Sequence, residues 1–227
     1  MAFISIPDLE SVYAHESNTV LLVAFFGLLW GIGAILFGKG IDYLGVSLSL
    51  PIMQGLINVV GTLMPVILRN PSELLTPTGL KLLTGTVIIL AGIIFFAIAG
   101  HNRDSKSRQT HSETPIKKNF RKGLIICLLA GIFGPMINFA FVYGAPLQEK
   151  AVATGASSLY AANVIWSIAL SAGFIINLLE CIRLFGKNQS WKTYRHRTTG
   201  GLIMASLAGV LWYLSIMFYG WGGRFMG

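Results

Sequence analysis

Residues 18–38 read NTVLLVAFFGLLWGIGAILFG, twenty-one positions without a charged side chain. A helix needs about 20 predominantly apolar residues to cross the hydrocarbon core of a bilayer. Five further stretches share this character, at 46–68, 79–100, 123–145, 158–182 and 201–221. Only 11% of the 227 residues are charged, 54% are hydrophobic, and the mean hydropathy is +0.68. A water-soluble domain carries roughly 25% charged residues, so the solvent for most of this chain is lipid. The fold class that follows is all-α, a polytopic bundle of six transmembrane helices forming one domain over residues 1–227. The first seventeen residues hold no Lys or Arg and no A-x-A site, so they do not read as a signal peptide.

The connections are expected to be short and turn-rich, as at Gly38-Lys39-Gly40 and Asn70-Pro71-Ser72. The longest polar stretch, 101–122, reads as a flexible loop. Alternating the sides of the membrane puts thirteen of the 17 Lys and Arg residues on one face: Lys39, then seven in 101–122, then five in 183–200. Basic loops stay in the cytoplasm, so loops 101–122 and 183–200 are expected inside, both termini outside, and the chain in the inner (plasma) membrane. A net charge of +8 could suggest nucleic acid, but no soluble module exists to carry such a patch. Cys127 and Cys181 lie in apolar segments and match no metal-ligand spacing, so neither a disulfide, a metal nor a cofactor is expected. The absence of HExxH, G-x-S-x-G, P-loop and paired intramembrane aspartates argues against an enzyme.

Two motifs repeat. Leu29-Trp30 with Phe37-Gly38-Lys39-Gly40 in the first span and Leu211-Trp212 with Tyr219-Gly220-Trp221-Gly222 in the sixth both fit L-W-x6-[FY]-G-x-G. The two spans run in opposite directions, as inverted-topology repeats of secondary transporters do. A five-helix inversion would make them equivalent.

Polar groups that persist inside a membrane face the bundle interior or a cavity. In the second span Gln54, Asn58, Gly61, Thr62 and Pro65 share a helical face, and in the fifth Asn163, Ser167, Ser171 and Asn177 form a broader stripe. The fourth offers Gly131, Gly134, Pro135 and Asn138, the first Trp30, Ala34 and Phe37, the sixth Trp212, Ser215 and Tyr219. Each amide taken alone is more simply inter-helix glue, and Gly27-x3-Gly31 and Ala205-x3-Gly209 read as packing motifs. As a set, amides, hydroxyls and aromatic rings with almost no charge suit a neutral polyhydroxylated solute. The candidate substrate-binding residues are therefore Trp30, Asn58, Asn138, Asn163, Trp212 and Tyr219. Glu180, the one acidic residue in a span, reads either as an interfacial ion pair with Arg183 or as a proton-coupling carboxylate.

The order and spacing of Phe26-Gly27-Leu28-Leu29-Trp30-Gly31-Ile32-Gly33, Tyr43-Leu44-Gly45-Val46-Ser47, Gly61-Thr62-Leu63-Met64, Gly131-Ile132-Phe133, Asn138-Phe139-Ala140 and Leu211-Trp212-Tyr213-Leu214 resemble the L-rhamnose–proton symporter family of the drug/metabolite transporter superfamily. The resemblance runs from Phe26 to Gly222. It implies a ten-helix carrier of two inverted five-helix halves that imports a sugar, rhamnose-like, with a proton by alternating access. The six spans would then be family helices three to eight, with the first two and last two lacking. Two alternatives stay open: a related carrier with another small neutral substrate, or a non-transporting fragment that a second copy or a partner chain completes.

Overall fold

The computed structural model describes residues 6–69, 71–109, 119–191 and 198–226. Residues 110–118 and 192–197, within the two basic loops, lie outside them. The chain runs through α1 (Leu9–His15), α2 (Ser17–Leu44), α3 (Val46–Arg69), a 3-10 turn (Pro71–Leu75), α4 (Pro77–Gln109), α5 (Phe120–Phe133), α6 (Met136–Tyr143), α7 (Ala145–Ala153), α8 (Asn163–Asn188) and α9 (Thr198–Met226). The described residues contain six helical stretches long and apolar enough to cross a membrane, with α5 to α7 counted as one interrupted span.

The boundaries correct several expectations. The first span does not turn at Gly38-Lys39-Gly40; it continues helically to Leu44 and breaks at Gly45, whose φ of 76° suits a residue without a Cβ. Lys39 is thus a helical residue. The third span runs to Gln109, so the first nine residues of the expected 101–122 loop are helical. Thr76 starts this helix: its hydroxyl oxygen accepts from the Gly79 N–H at 3.1 Å, and Pro77 takes the first helical position. The fourth span breaks at Gly134-Pro135, because Pro135 has no N–H to continue the ladder. The fifth begins at Asn163 rather than 158, after a run of turns.

Helix α2 is the hub. Lipid tails are as apolar as leucine, so helices in a bilayer associate by close packing rather than by escape from water. Gly27 and Gly31, one turn apart, bring the α2 backbone against Ala169 and Gly173 of α8: a Cβ on Gly31 would lie 2.8 Å from the Gly173 carbonyl oxygen. About 240° round the helix, Gly33 meets the backbone of Phe133 and Gly134 at the α5–α6 break. Outward from this centre the order is α2, α5 with α6, α3, then α4 on one side, and α2, α8 on the other. Two apolar cores result. One gathers Val12, Val23, Leu147, Ile165 and Trp166; the other gathers Leu48, Ile52, Met53, Phe120 and Cys127 at the opposite end of α2.

Helix α9 attaches differently. It touches the bundle through aromatic side chains of its second half, and its first half is exposed. A Cβ on Gly209 would meet nothing within 4 Å, so no described residue packs on the expected motif Ala205-x3-Gly209. Cys127 is buried and Cys181 exposed. Labelling of the detergent-solubilised protein with N-ethylmaleimide is expected to stop at one adduct per chain, read by intact mass.

Candidate functional site

The two tryptophans of the repeated motif meet. Trp30 of α2 and Trp212 of α9 stack with ring centroids 5.5 Å apart and planes 16° from parallel. Trp30 lies over Gly173 of α8, where a Cβ would come within 2.6 Å of the ring. A side chain at residue 173 would therefore displace the indole from its partner. Trp212 remains 45% exposed, which leaves much of its ring accessible.

Beside the pair, the Tyr213 hydroxyl donates to Asn163 Oδ1 at 3.3 Å. Asn163 is 5% exposed, a buried amide at the start of α8. Further along α9, Tyr219 makes an edge contact with Phe141 at 5.4 Å, and Phe141 stacks on Trp166 at 5.2 Å. Trp30, Trp212, Asn163 and Tyr219 therefore lie along the contact that α9 makes with α2 and α8. Asn58 and Asn138 lie on the α3 side of the bundle. The Asn138 amide sits against Gly61, where a Cβ would be 2.7 Å from Nδ2, and exposed Asn58 precedes Gly61 by one turn. Pro135, at the α5–α6 break, lines the same seam, since a Cβ on Gly61 would lie 3.2 Å from Pro135 Cβ.

The remaining polar positions of the fifth span hold helices together. The Asn177 amide donates to the Gly173 carbonyl at 2.9 Å and reaches the Gly31 carbonyl at 3.4 Å, tying α8 to α2. The Tyr13 hydroxyl donates to the Val164 carbonyl at 3.1 Å and lies 2.7 Å from the Ser167 hydroxyl, tying α1 to α8. Burial pushes the Tyr13 phenol above its ordinary value, with the Ser167 hydrogen bond opposing.

Glu180 sits between two cations. Its Oε1 lies 3.1 Å from Lys39 Nζ on α2, and Arg183 grips both oxygens from the next turn of α8, at 2.6 and 2.8 Å. The interfacial pair with Arg183 is present, and Lys39 extends it between helices.

Sequence reasoning missed Tyr213 and Trp166. Tyr213 adjoins Trp212 but falls on none of the polar or aromatic stripes read from the sequence. Trp166 adjoins the Asn163–Ser167 stripe but falls off its face. Its position in an otherwise apolar run gave no signal for what its indole N–H does.

Fold and site together define a polytopic helical membrane protein with an aromatic and amide cluster at the junction of two motif-related helices. The sequence profile described as L-rhamnose-proton symport protein (RhaT) matches residues 1–226. L-rhamnose-proton symporters of Yersinia pestis (strain Pestoides F) and Yersinia pseudotuberculosis serotype O:1b are each 35% identical over 231 residues, covering 98% of this chain and 66% of their own length. That of Mannheimia succiniciproducens is 35% identical over 226 residues, covering 96% of this chain and 64% of the relative. The chain belongs to the L-rhamnose-proton symport protein family, and it spans slightly less than two thirds of the length of these relatives. No solved structure matches it.

Proposed function

We propose that this chain forms the central part of a secondary carrier that imports a neutral sugar, rhamnose-like, with protons by alternating access. The observation that carries this is the Trp30–Trp212 stack. Two motif-equivalent residues on oppositely directed helices meet face to face, as residues beside the axis of an inverted repeat do. An aromatic face covers the C–H side of a sugar ring, while the Asn163–Tyr213 pair offers donors and acceptors for its hydroxyls. Tyr219 extends the aromatic surface beside this pair, whereas Asn58 and Asn138 sit at a separate seam between α3 and α6. A carrier needs no catalytic group and no cofactor, and this reading invokes none. The test is uptake of labelled L-rhamnose into vesicles under an imposed pH gradient, with a competition panel of sugars and amino acids. Uptake no greater than in empty vesicles, by correctly inserted protein, refutes it.

We propose Glu180 for proton coupling; Lys39 and Arg183 both favour its charged form, so it takes up a proton only when they let go. Its carboxylate joins Lys39 on α2 to Arg183 on α8, so proton uptake requires these bridges to open and loosens the two closely packed helices from each other. Glu180→Gln is therefore expected to abolish pH-gradient-driven accumulation while sparing sugar counterflow. Lys39 and Arg183 are 44% and 52% exposed, and pairs with such exposure contribute about 1 kcal/mol or less. A fall in thermal midpoint of a few degrees at most should accompany the loss. Accumulation equal to wild type removes Glu180 from the coupling path.

The exposed first half of α9 and the lipid-facing sides of α4 offer surface for further helices. Another segment of the carrier, a second copy or a partner chain would complete the bundle there. The distribution of Lys and Arg favours the cytoplasm for both basic segments, 101–122 and 183–200, and the outside for the α7–α8 connection. In a bacterium such a carrier resides in the inner membrane.

A further inference from the structure

Helix α7, the α7–α8 connection and the end of α9 border an open pocket, and none of Trp30, Trp212, Asn163 and Tyr219 lines it. Its volume is about 380 Å³, and its walls are Gln148, Glu149, Val152, Ser158, Ala161, Ala162 and Gly220. The volume falls within the range of small-molecule sites, roughly 300–1,000 Å³. An amide, a carboxylate and a hydroxyl converge on it from two elements, opposite a patch of alanine and glycine. Behind that patch lies Trp166, 2% exposed, whose indole Nε1 is buried without a hydrogen-bond partner. Buried N–H groups are almost always paired, so an orphan here calls for an explanation. A Cβ on Gly220 would lie 3.2 Å from Ala162 Cβ and 3.5 Å from Trp166 Nε1, which puts the orphan donor directly behind the cavity wall. Gly220 belongs to α9, the helix held to the bundle by side chains. For the N–H to reach the pocket, α9 must move away from Ala162 at Gly220.

We infer that this cavity is an outer subsite for a neutral sugar, bound by Glu149, Gln148 and Ser158 and completed by the Trp166 N–H when α9 shifts. The inference rests on the carrier reading above and adds a second station to it, reached before the tryptophan pair. A polyol suits the lining chemically. Its hydroxyls donate to the Glu149 carboxylate and the Gln148 carbonyl, and a hydroxyl oxygen accepts from the indole N–H. An inorganic anion would be repelled by Glu149, and an apolar solute would leave three polar groups and the indole unsatisfied.

The test uses Ser158→Cys on a Cys181→Ser background, in right-side-out membrane vesicles, labelled by a membrane-impermeant maleimide. Saturating L-rhamnose is expected to slow labelling several-fold. In parallel, Glu149→Ala, a change at an exposed position that does not threaten folding, is expected to raise the KM for L-rhamnose uptake about tenfold, the factor that one charge-assisted hydrogen bond carries. Trp166→Phe, which keeps an aromatic ring and removes the donor, is expected to act in the same direction. Uptake by vesicles in which L-rhamnose gives no protection, or in which Glu149→Ala keeps the wild-type KM, overturns the subsite and leaves the carrier standing. Protection without uptake upholds the subsite and overturns the carrier. Absence of both overturns both.

Discussion

Gly27→Leu is expected to destroy the native fold, with loss of monodisperse protein from detergent extracts. The α2 and α8 backbones touch at this residue. A Cβ there would lie 2.7 Å from Ala169 Cα and in conflict with the Ala169 carbonyl oxygen. A flexible side chain could rotate away, but a helix backbone can yield only by translating. Overpacking a well-filled interior costs about 1–3 kcal/mol, and here the neighbour cannot repack, so the penalty belongs at or beyond the upper end of that range. The damage should also spread. Separating α2 from α8 lifts Gly31 from Gly173, stretches the Asn177 bond to the Gly31 carbonyl and pulls Lys39 from Glu180. Size-exclusion profile and thermal midpoint measure the effect. Gly38→Leu, on the same helix at a position with nothing within 4 Å, is the matched control and should behave as wild type. Equal midpoints for the two variants would show that the α2–α8 contact is not what holds the bundle.

On the carrier function proposed above, Trp212→Ala is expected to reduce L-rhamnose uptake by about an order of magnitude while leaving the protein folded. The ring is 45% exposed, so little buried packing is lost. What disappears is one face of the Trp30–Trp212 stack, an aromatic pair of the kind that contributes about 0.5–1.5 kcal/mol beyond its burial. The upper end of that range corresponds to roughly a tenfold change in affinity. Trp212→Phe should recover part of the activity, because a phenyl ring still presents an apolar face. Trp30→Ala should match Trp212→Ala in transport but also lower the thermal midpoint, since Trp30 packs over Gly173. Uptake by Trp212→Ala at the wild-type rate would remove the pair from the substrate path.

Much of this architecture was legible in residue order. Long uncharged runs can satisfy their backbone in lipid only as helices or closed barrels, which is why the six spans could be placed from composition and length. The Gly27–Gly31 spacing was legible as a packing face for the same reason: only small residues let two backbones meet. Helix ends were less so. Lys39 looked like a loop residue, because a lone cation in an apolar run reads as a boundary, yet it is helical and paired with Glu180. Gly38 and Gly40 looked like a turn, yet glycine is common within membrane helices and the break falls at Gly45. At Ala205–Gly209 the same spacing finds no partner among the described residues, because spacing reports that a backbone could be approached, not that another helix approaches it.

The stretch 18–38 by itself determined that the chain lives in a membrane and that one helix carries both a small-residue face and Trp30. Its own residues set these properties through hydropathy and 3.6-residue periodicity. Only the tertiary structure decided which partners those faces find. It set Trp30 against Trp212 across 182 residues of chain, turned Ser167 and Asn177 into ties between helices, and left the Trp166 N–H without an acceptor behind Gly220. Such pairings depend on how helices tilt and approach. In lipid that is governed by shape complementarity between whole surfaces, and no local pattern of residues encodes it.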